Sequence, residues 1–81
     1  MNRSELICER LKKFGYASER RIRLYGEEFE LISNPIADAA GYVVVALTVR
    51  TGNLRHVRLP LSMVSRLERE LDREAAVELA A

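Results

Sequence analysis

The stretch GYVVVALTVRTGNLRHVRLP, residues 41–60, decides the fold of this chain. Its first half is a run of β-branched and other apolar residues and predicts a strand, and the more polar second half predicts the antiparallel partner of that strand. Two registers are open. A two-residue turn pairs Leu47 with Arg58, whereas a three-residue loop over residues 51–53 pairs Leu47 with Val57. We favour the three-residue loop, because it separates apolar from polar side chains more cleanly.

The favoured register places three apolar side chains of the first strand, Tyr42, Val44 and Ala46, on the polar face of this hairpin. Small proteins seldom leave such a strip bare without a use, so it is a candidate protein-interaction surface, for self-association or for another protein. Two alternatives stay open. One of the helices predicted below covers the strip, or the sheet curves into a small barrel that hides it.

The same hairpin carries a candidate basic patch. The register groups Arg50, His56 and Arg58 on one face, and Arg21 joins them if the first strand of the chain lies alongside. There is no acidic residue between residues 39 and 67, so the patch could hold an anion or a nucleic-acid backbone. The alternative is that these charges only keep an edge strand soluble and unpaired.

A second hairpin is predicted nearer the N-terminus, with Gly26–Glu27 as a two-residue turn. Gly in the first turn position suits a type II′ turn. This register pairs Leu24 with Phe29 on an apolar face and Arg23 with Glu30 on a polar face. The segment NPIADAAG then links the two hairpins, either as one short helical turn or as a loop.

A helix is predicted at each end of the chain. Ser4 can cap the first helix, and Gly15 can end it in a left-handed conformation. Apolar residues recur at helical spacing on one face of each helix. They are Ile7, Leu11 and Phe14 in the first helix, and Val64, Leu67, Leu71 and Ala75 in the last one. Both helices therefore need a surface on which to pack.

These elements predict one small α+β domain over residues 1–81, with the last few residues frayed. Its order is α-β-β-β-β-α, in which two hairpins form a four-stranded antiparallel sheet and amphipathic helices flank it. The alternative architecture is a small SH3- or Sm-like barrel with an added C-terminal helix, because a helix followed by strands is also the order of those barrels.

Composition narrows the possible functions. Thirteen basic and twelve acidic residues give a formal charge of +1, which is no electrostatic signature of a nucleic-acid or membrane partner. One cysteine and one histidine, on different predicted elements, offer no catalytic, metal-binding or cofactor-binding motif, and no small-molecule ligand is indicated. We therefore expect a cytoplasmic, non-catalytic interaction module that is a candidate homodimer. A nucleic-acid-binding domain is the first alternative and a small enzyme the second.

Overall fold

Two helices and one antiparallel five-stranded sheet make up the computed structural model, which describes residues 1–80. In chain order the elements are α1 (Arg3–Lys13), β1 (Arg21–Leu24), β2 (Glu27–Leu31), β3 (Ile36–Asp38), β4 (Gly41–Thr48), β5 (Leu54–Arg58) and α2 (Leu61–Ala80). The predicted α+β class is confirmed, and the sheet has one strand more than predicted. The sheet does not close into a barrel, so the alternative SH3- or Sm-like architecture is wrong.

Helix α1 begins two residues earlier than it would with Ser4 as its cap. Asn2 is the N-cap, and its Oδ1 accepts a hydrogen bond of 2.8 Å from the backbone N–H of Glu5. The predicted C-terminal end of the helix is confirmed, because Gly15 has a φ of +104° and the helix ends before it. Phe14, predicted to lie on the apolar face, is the C-cap residue and is 49 % exposed.

The β1–β2 hairpin is shifted by two residues from the predicted register. Its turn is Tyr25–Gly26, and both residues have positive φ, as a type I′ turn requires. Arg23 consequently lies opposite Glu28 rather than Glu30. A shift of two residues leaves every side chain on its predicted face, so the division into apolar and polar faces is correct although the turn is not.

The linker between the predicted hairpins is neither a helical turn nor a loop. It contains β3, which pairs with the start of β4 so that Asp38 lies opposite Gly41. β2 and β3 lie end to end along the same edge of β4, separated by a bulge around Ser33. The backbone N–H groups of Ile32 and Ser33 both donate to the Val45 carbonyl, and the Ser33 hydroxyl accepts from the Val45 N–H. The bulge therefore keeps the edge of β4 hydrogen-bonded where the strand partner changes.

Both registers considered for the β4–β5 hairpin are wrong. Leu47 pairs with Leu54, and the loop is closed by a 2.9 Å hydrogen bond from the Thr48 N–H to the Asn53 carbonyl. Gly52, with a φ of +72°, supplies the left-handed conformation expected of Asn53. β5 has the predicted faces, but β4 is inverted relative to the favoured register. Its even-numbered residues point into the core.

The core lies between one face of the sheet, called here the inner face, and the two helices. The sheet contributes buried side chains from β1, β2, β4 and β5, and each helix contributes two. The buried cluster comprises Ile7, Leu11, Leu24, Phe29, Leu31, Tyr42, Val44, Ala46, Val57, Leu59, Val64 and Leu67. Because both helices pack on the inner face, no helix within residues 1–80 packs on the outer face.

Helix α2 follows the predicted stripe for only half of its length. Val64 and Leu67 are buried, Leu71 is half-buried, and Ala75 is exposed. The last few residues were predicted to fray, but the helix runs to Ala80. Residue 81 lies outside the described residues. Neither α1 nor α2, as far as residue 80, has the length and apolarity needed to cross a bilayer.

Candidate functional site

The predicted interaction strip is part of the core. Tyr42 is 8 % exposed, and Val44 and Ala46 are fully buried. They lie on the inner face of β4, in one cluster with buried residues of both helices. The strip is therefore not a docking surface, and the alternative that a helix covers it is correct. The error follows from the inverted β4 register, which exchanges the two faces of that strand.

The inversion places a different apolar set on the outer face of the sheet. Val43, Val45 and Leu47 of β4 are half-buried there, between neighbouring strands rather than under a helix. Leu54 of β5 extends this surface and is 63 % exposed, and Ile36 of β3 extends it on the other side and is 49 % exposed. We call these five side chains the outer apolar face. The ladder registers hold them together, with Leu47 opposite Leu54 and Ile36 opposite Val43.

Charged residues border the outer apolar face asymmetrically. On one side, Glu28 and Glu30 of β2 point outward, and Glu30 lies directly opposite Leu47. On the other side, His56 and Arg58 of β5 point outward and lie opposite Val45 and Val43. The apolar centre is thus bordered by an acidic strand on one side and by a strand with basic side chains on the other.

One ion pair crosses the end of this face. Both terminal guanidinium nitrogens of Arg58, Nη1 and Nη2, donate to the Asp38 carboxylate, at 3.0 and 2.9 Å. These hydrogen bonds lower the pKa of Asp38 to about 2, and the pKa of Arg58 is raised by the same contact. The pair passes over Gly41, where an added Cβ would lie 3.3 Å from the Arg58 Nη1.

The predicted basic patch is not assembled as one surface. Arg21 lies on β1, which is separated from β5 by β2 and β4, and its guanidinium is 3.9 Å from the Glu30 carboxylate. Arg58 is bound to Asp38. His56 and Arg58 are neighbours on the outer face as predicted, Arg21 lies on the same face but beyond β2, and Arg50 belongs to the β4–β5 loop at the other end of the hairpin. The four side chains therefore do not form a continuous anion-binding row.

Arg50 instead lines a polar cleft with Arg55, a residue that the sequence did not single out as part of a site. The cleft has a volume of about 380 Å³ and lies between the tip of the β1–β2 hairpin and the β4–β5 loop. The sheet curls far enough to bring these together: the Tyr25 hydroxyl donates to the Arg58 carbonyl at 2.6 Å, and Glu27 lies 3.8 Å from Arg55. We call this the hairpin-tip cleft.

The residues with catalytic potential lie on opposite sides of the sheet. Cys8 belongs to α1 on the inner side and is half-buried, and desolvation raises the pKa of its thiol. His56 is exposed and points outward from β5. No group of three or more histidine, cysteine, aspartate or glutamate side chains within residues 1–80 is arranged to hold a metal ion.

The outer apolar face could have been found from the sequence by a different argument. β4 reads as a continuous apolar run, and strands of that kind are typically covered on both faces. No sequence signal indicated the hairpin-tip cleft, because its residues come together only through the curl of the sheet. No family model, curated protein or solved structure matches this chain.

Proposed function

We propose that this protein is a non-catalytic interaction module that pairs with a second copy of itself through the outer apolar face. The observation that carries the proposal is the contrast between the two sides of β4. Both sides present apolar residues, but both helices pack on the inner side. A strand of this composition is typical of a sheet with two covered faces. A partner bound to the outer apolar face would cover the second side of the sheet.

The arrangement of the outer apolar face, with β4 at its centre, suits a second copy as that partner. In a symmetric dimer, one patch must be complementary to itself. A two-fold axis parallel to β4 would place β2 of one protomer over β5 of the other. Glu30 would then lie over Leu54 of the partner, two residues along β5 from His56. The β4 strands would meet at the centre, where Val43, Val45 and Leu47 exclude water.

The size of the face predicts a weak dimer. With about 3.3 Å per residue along the eight residues of β4 and about 4.8 Å for each of four strand positions, the whole outer side of the sheet covers about 500 Å², and the outer apolar face is only part of it. Stable complexes bury about 800 Å² of accessible surface per partner. We therefore expect a dissociation constant on the order of 10 to 100 μM, because interfaces below the standard size bind weakly.

The compartment is part of the same proposal. Cys8 is the single cysteine of the sequence and is a free thiol. A free, half-buried thiol suits the reducing cytoplasm, where disulfides are rare. We therefore propose a cytoplasmic module, with self-association as its interaction.

The test is analytical ultracentrifugation of the purified chain from about 1 to 500 μM, a range that brackets the weak affinity expected for a small interface. Two substitutions at one site distinguish this dimer from non-specific self-association. Leu47 pairs with Glu30 on one side and with Leu54 on the other, so Leu54 and Glu30 lie at the same height along the strands. The dimer therefore places Leu54 against the acidic strand of the second copy. Leu54→Asp should abolish dimerisation through like-charge repulsion, whereas Leu54→Lys should retain it.

Val77→Asp is the matched control, because Val77 is 64 % exposed, nearly the same as Leu54, and lies on α2 away from the sheet. It should leave the dimer unchanged. A chain that remains monomeric up to the highest concentration would refute the proposal. Equal loss of dimer in Leu54→Asp and Leu54→Lys would refute the two-fold arrangement.

A further inference from the structure

The hairpin-tip cleft is a second surface, independent of the outer apolar face. Its walls are the turn at Tyr25 and Gly26, the adjacent Glu27, and the loop residues around Arg50. The cleft exists because the first hairpin curls over to β5 and is held there by two contacts, from Tyr25 to the Arg58 carbonyl and from Glu27 to Arg55. Residues far apart in the sequence therefore line one concave site.

The loop that carries Arg50 is held in place by hydrogen bonds to Thr48, the last residue of β4. The Thr48 side chain is only 2 % exposed, and its hydroxyl oxygen accepts a 3.0 Å hydrogen bond from the Asn53 N–H. The Thr48 and Thr51 hydroxyl groups are also hydrogen-bonded to each other. A further 2.6 Å bond joins the Gly52 N–H to the Thr48 carbonyl. This network orders the loop in the free protein, so the loop loses little further conformational entropy when a ligand binds.

The charge of the cleft favours an anion at one end. Two guanidinium groups, Arg50 and Arg55, line it together with one carboxylate, Glu27. Glu27 lies beside Arg55 at 3.8 Å, while Arg50 makes no ion pair with any residue of the described chain. Positive charge is thus least compensated at Arg50, where the Thr51 hydroxyl and the Asn53 side chain add hydrogen-bonding groups.

We infer that the hairpin-tip cleft binds a small phosphate monoester whose alcohol part carries free hydroxyl groups. Guanidinium groups match phosphate oxygens with two parallel hydrogen bonds, and Arg50 provides such a group without a competing carboxylate. Glu27 would repel a second anion at its own end, but it can accept hydrogen bonds from hydroxyl groups there. The cleft therefore distinguishes a hydroxylated monoester from bare phosphate.

The experiment is an NMR titration of the full chain in which the backbone amides of residues 25–27 and 50–55 are followed. The probes are glycerol 3-phosphate, inorganic phosphate, glycerol and a short single-stranded oligonucleotide. Glycerol 3-phosphate should saturate these shifts with a dissociation constant of about 1 mM or below. Inorganic phosphate should bind more weakly, and glycerol alone should not bind.

Two substitutions assign the roles within the cleft. Arg50→Gln should weaken glycerol 3-phosphate binding about tenfold, because it removes a charge-assisted contact. Arg69→Gln removes the same charge from an exposed position on α2 and should have no effect. Glu27→Gln should strengthen inorganic phosphate binding and reduce the preference for the hydroxylated ester. Amide spectra of each variant show whether the fold is retained.

Three results would each overturn the inference. The first is the absence of saturable shifts with glycerol 3-phosphate up to about 20 mM, where a millimolar site would be nearly filled. The second is an equal loss of affinity in Arg50→Gln and Arg69→Gln. The third is binding of the oligonucleotide without binding of the monoester, which would instead support the nucleic-acid alternative. None of these results bears on the dimer, which uses the opposite face of the sheet.

Discussion

Replacement of Tyr25 tests how the curl of the sheet is maintained. Tyr25 has a φ of +54°, a left-handed conformation that is unfavourable for a bulky residue, and its ring is mostly exposed. Its hydroxyl donates a 2.6 Å hydrogen bond to the Arg58 carbonyl, 33 positions later in the sequence. We expect this hydrogen bond to offset the cost of the turn conformation.

The two contributions can be separated by two variants. Tyr25→Phe keeps the turn conformation and loses the hydrogen bond, so the free energy of unfolding should fall by about 1 kcal/mol, within the usual range of about 0.5–1.5. Tyr25→Asn loses the same bond but relieves most of the left-handed cost of about 1–2 kcal/mol, since Asn tolerates that conformation. We expect Tyr25→Asn to be within about 0.5 kcal/mol of the wild type.

Urea denaturation followed by circular dichroism measures both values. Marginal stability of about 4–12 kcal/mol for a chain of 81 residues makes a change of about 1 kcal/mol readily measurable. The thermal midpoint of Tyr25→Phe should fall by about 4–8 °C. The reasoning is refuted if Tyr25→Phe is as stable as the wild type, or if Tyr25→Asn is less stable than Tyr25→Phe.

Two further predictions concern the ion pair across the outer face. The pKa of Asp38 is lowered to about 2 from an ordinary value near 3.8, so the pair stabilises the fold above pH 4 and this contribution is lost as the pH falls toward 2. Urea unfolding between pH 7 and 2 should show the stability of Asp38→Asn approaching that of the wild type over that interval, and a constant difference would contradict the assignment. Gly41→Ala should cost about 1–3 kcal/mol, because the φ of Gly41 is +144° and the new methyl group would press on Arg58. Gly15→Ala, at a φ of +104° with open space around it, should leave the acid dependence of unfolding unchanged, whereas Gly41→Ala should weaken it.

The elements of the fold were largely predictable because each has a local cause. The α1 stop depends on Gly15, and the helical stripes depend on residue spacing. The faces of β1 and β2 follow from simple alternation, which survives a register shift of two residues. Local signals of this kind do not require knowledge of what packs against the element.

The candidate site was not predictable, for a reason that β4 illustrates. Its residues are apolar on both faces, so alternation does not determine which face enters the core. Our preference for a polar–apolar separation assumed that one face of the hairpin meets water. The true register is set by a longer loop and by Thr48, a polar residue that is buried and satisfied by Asn53 and Thr51. β3 was missed because the three-residue strand depends on pairing with β4.

The contact between the first and the last helix constrains how the chain can fold while it is being synthesised. Arg3 of α1 donates to the carbonyl of Glu68 in α2, 65 positions later, and Ile7 shares its buried cluster with Leu67. At about 5–20 residues per second, about 3–13 s pass between the synthesis of Arg3 and that of Glu68. During that interval α1 lacks the α2 surface against which its apolar face packs, and the hairpins, whose pairings are local, can form first.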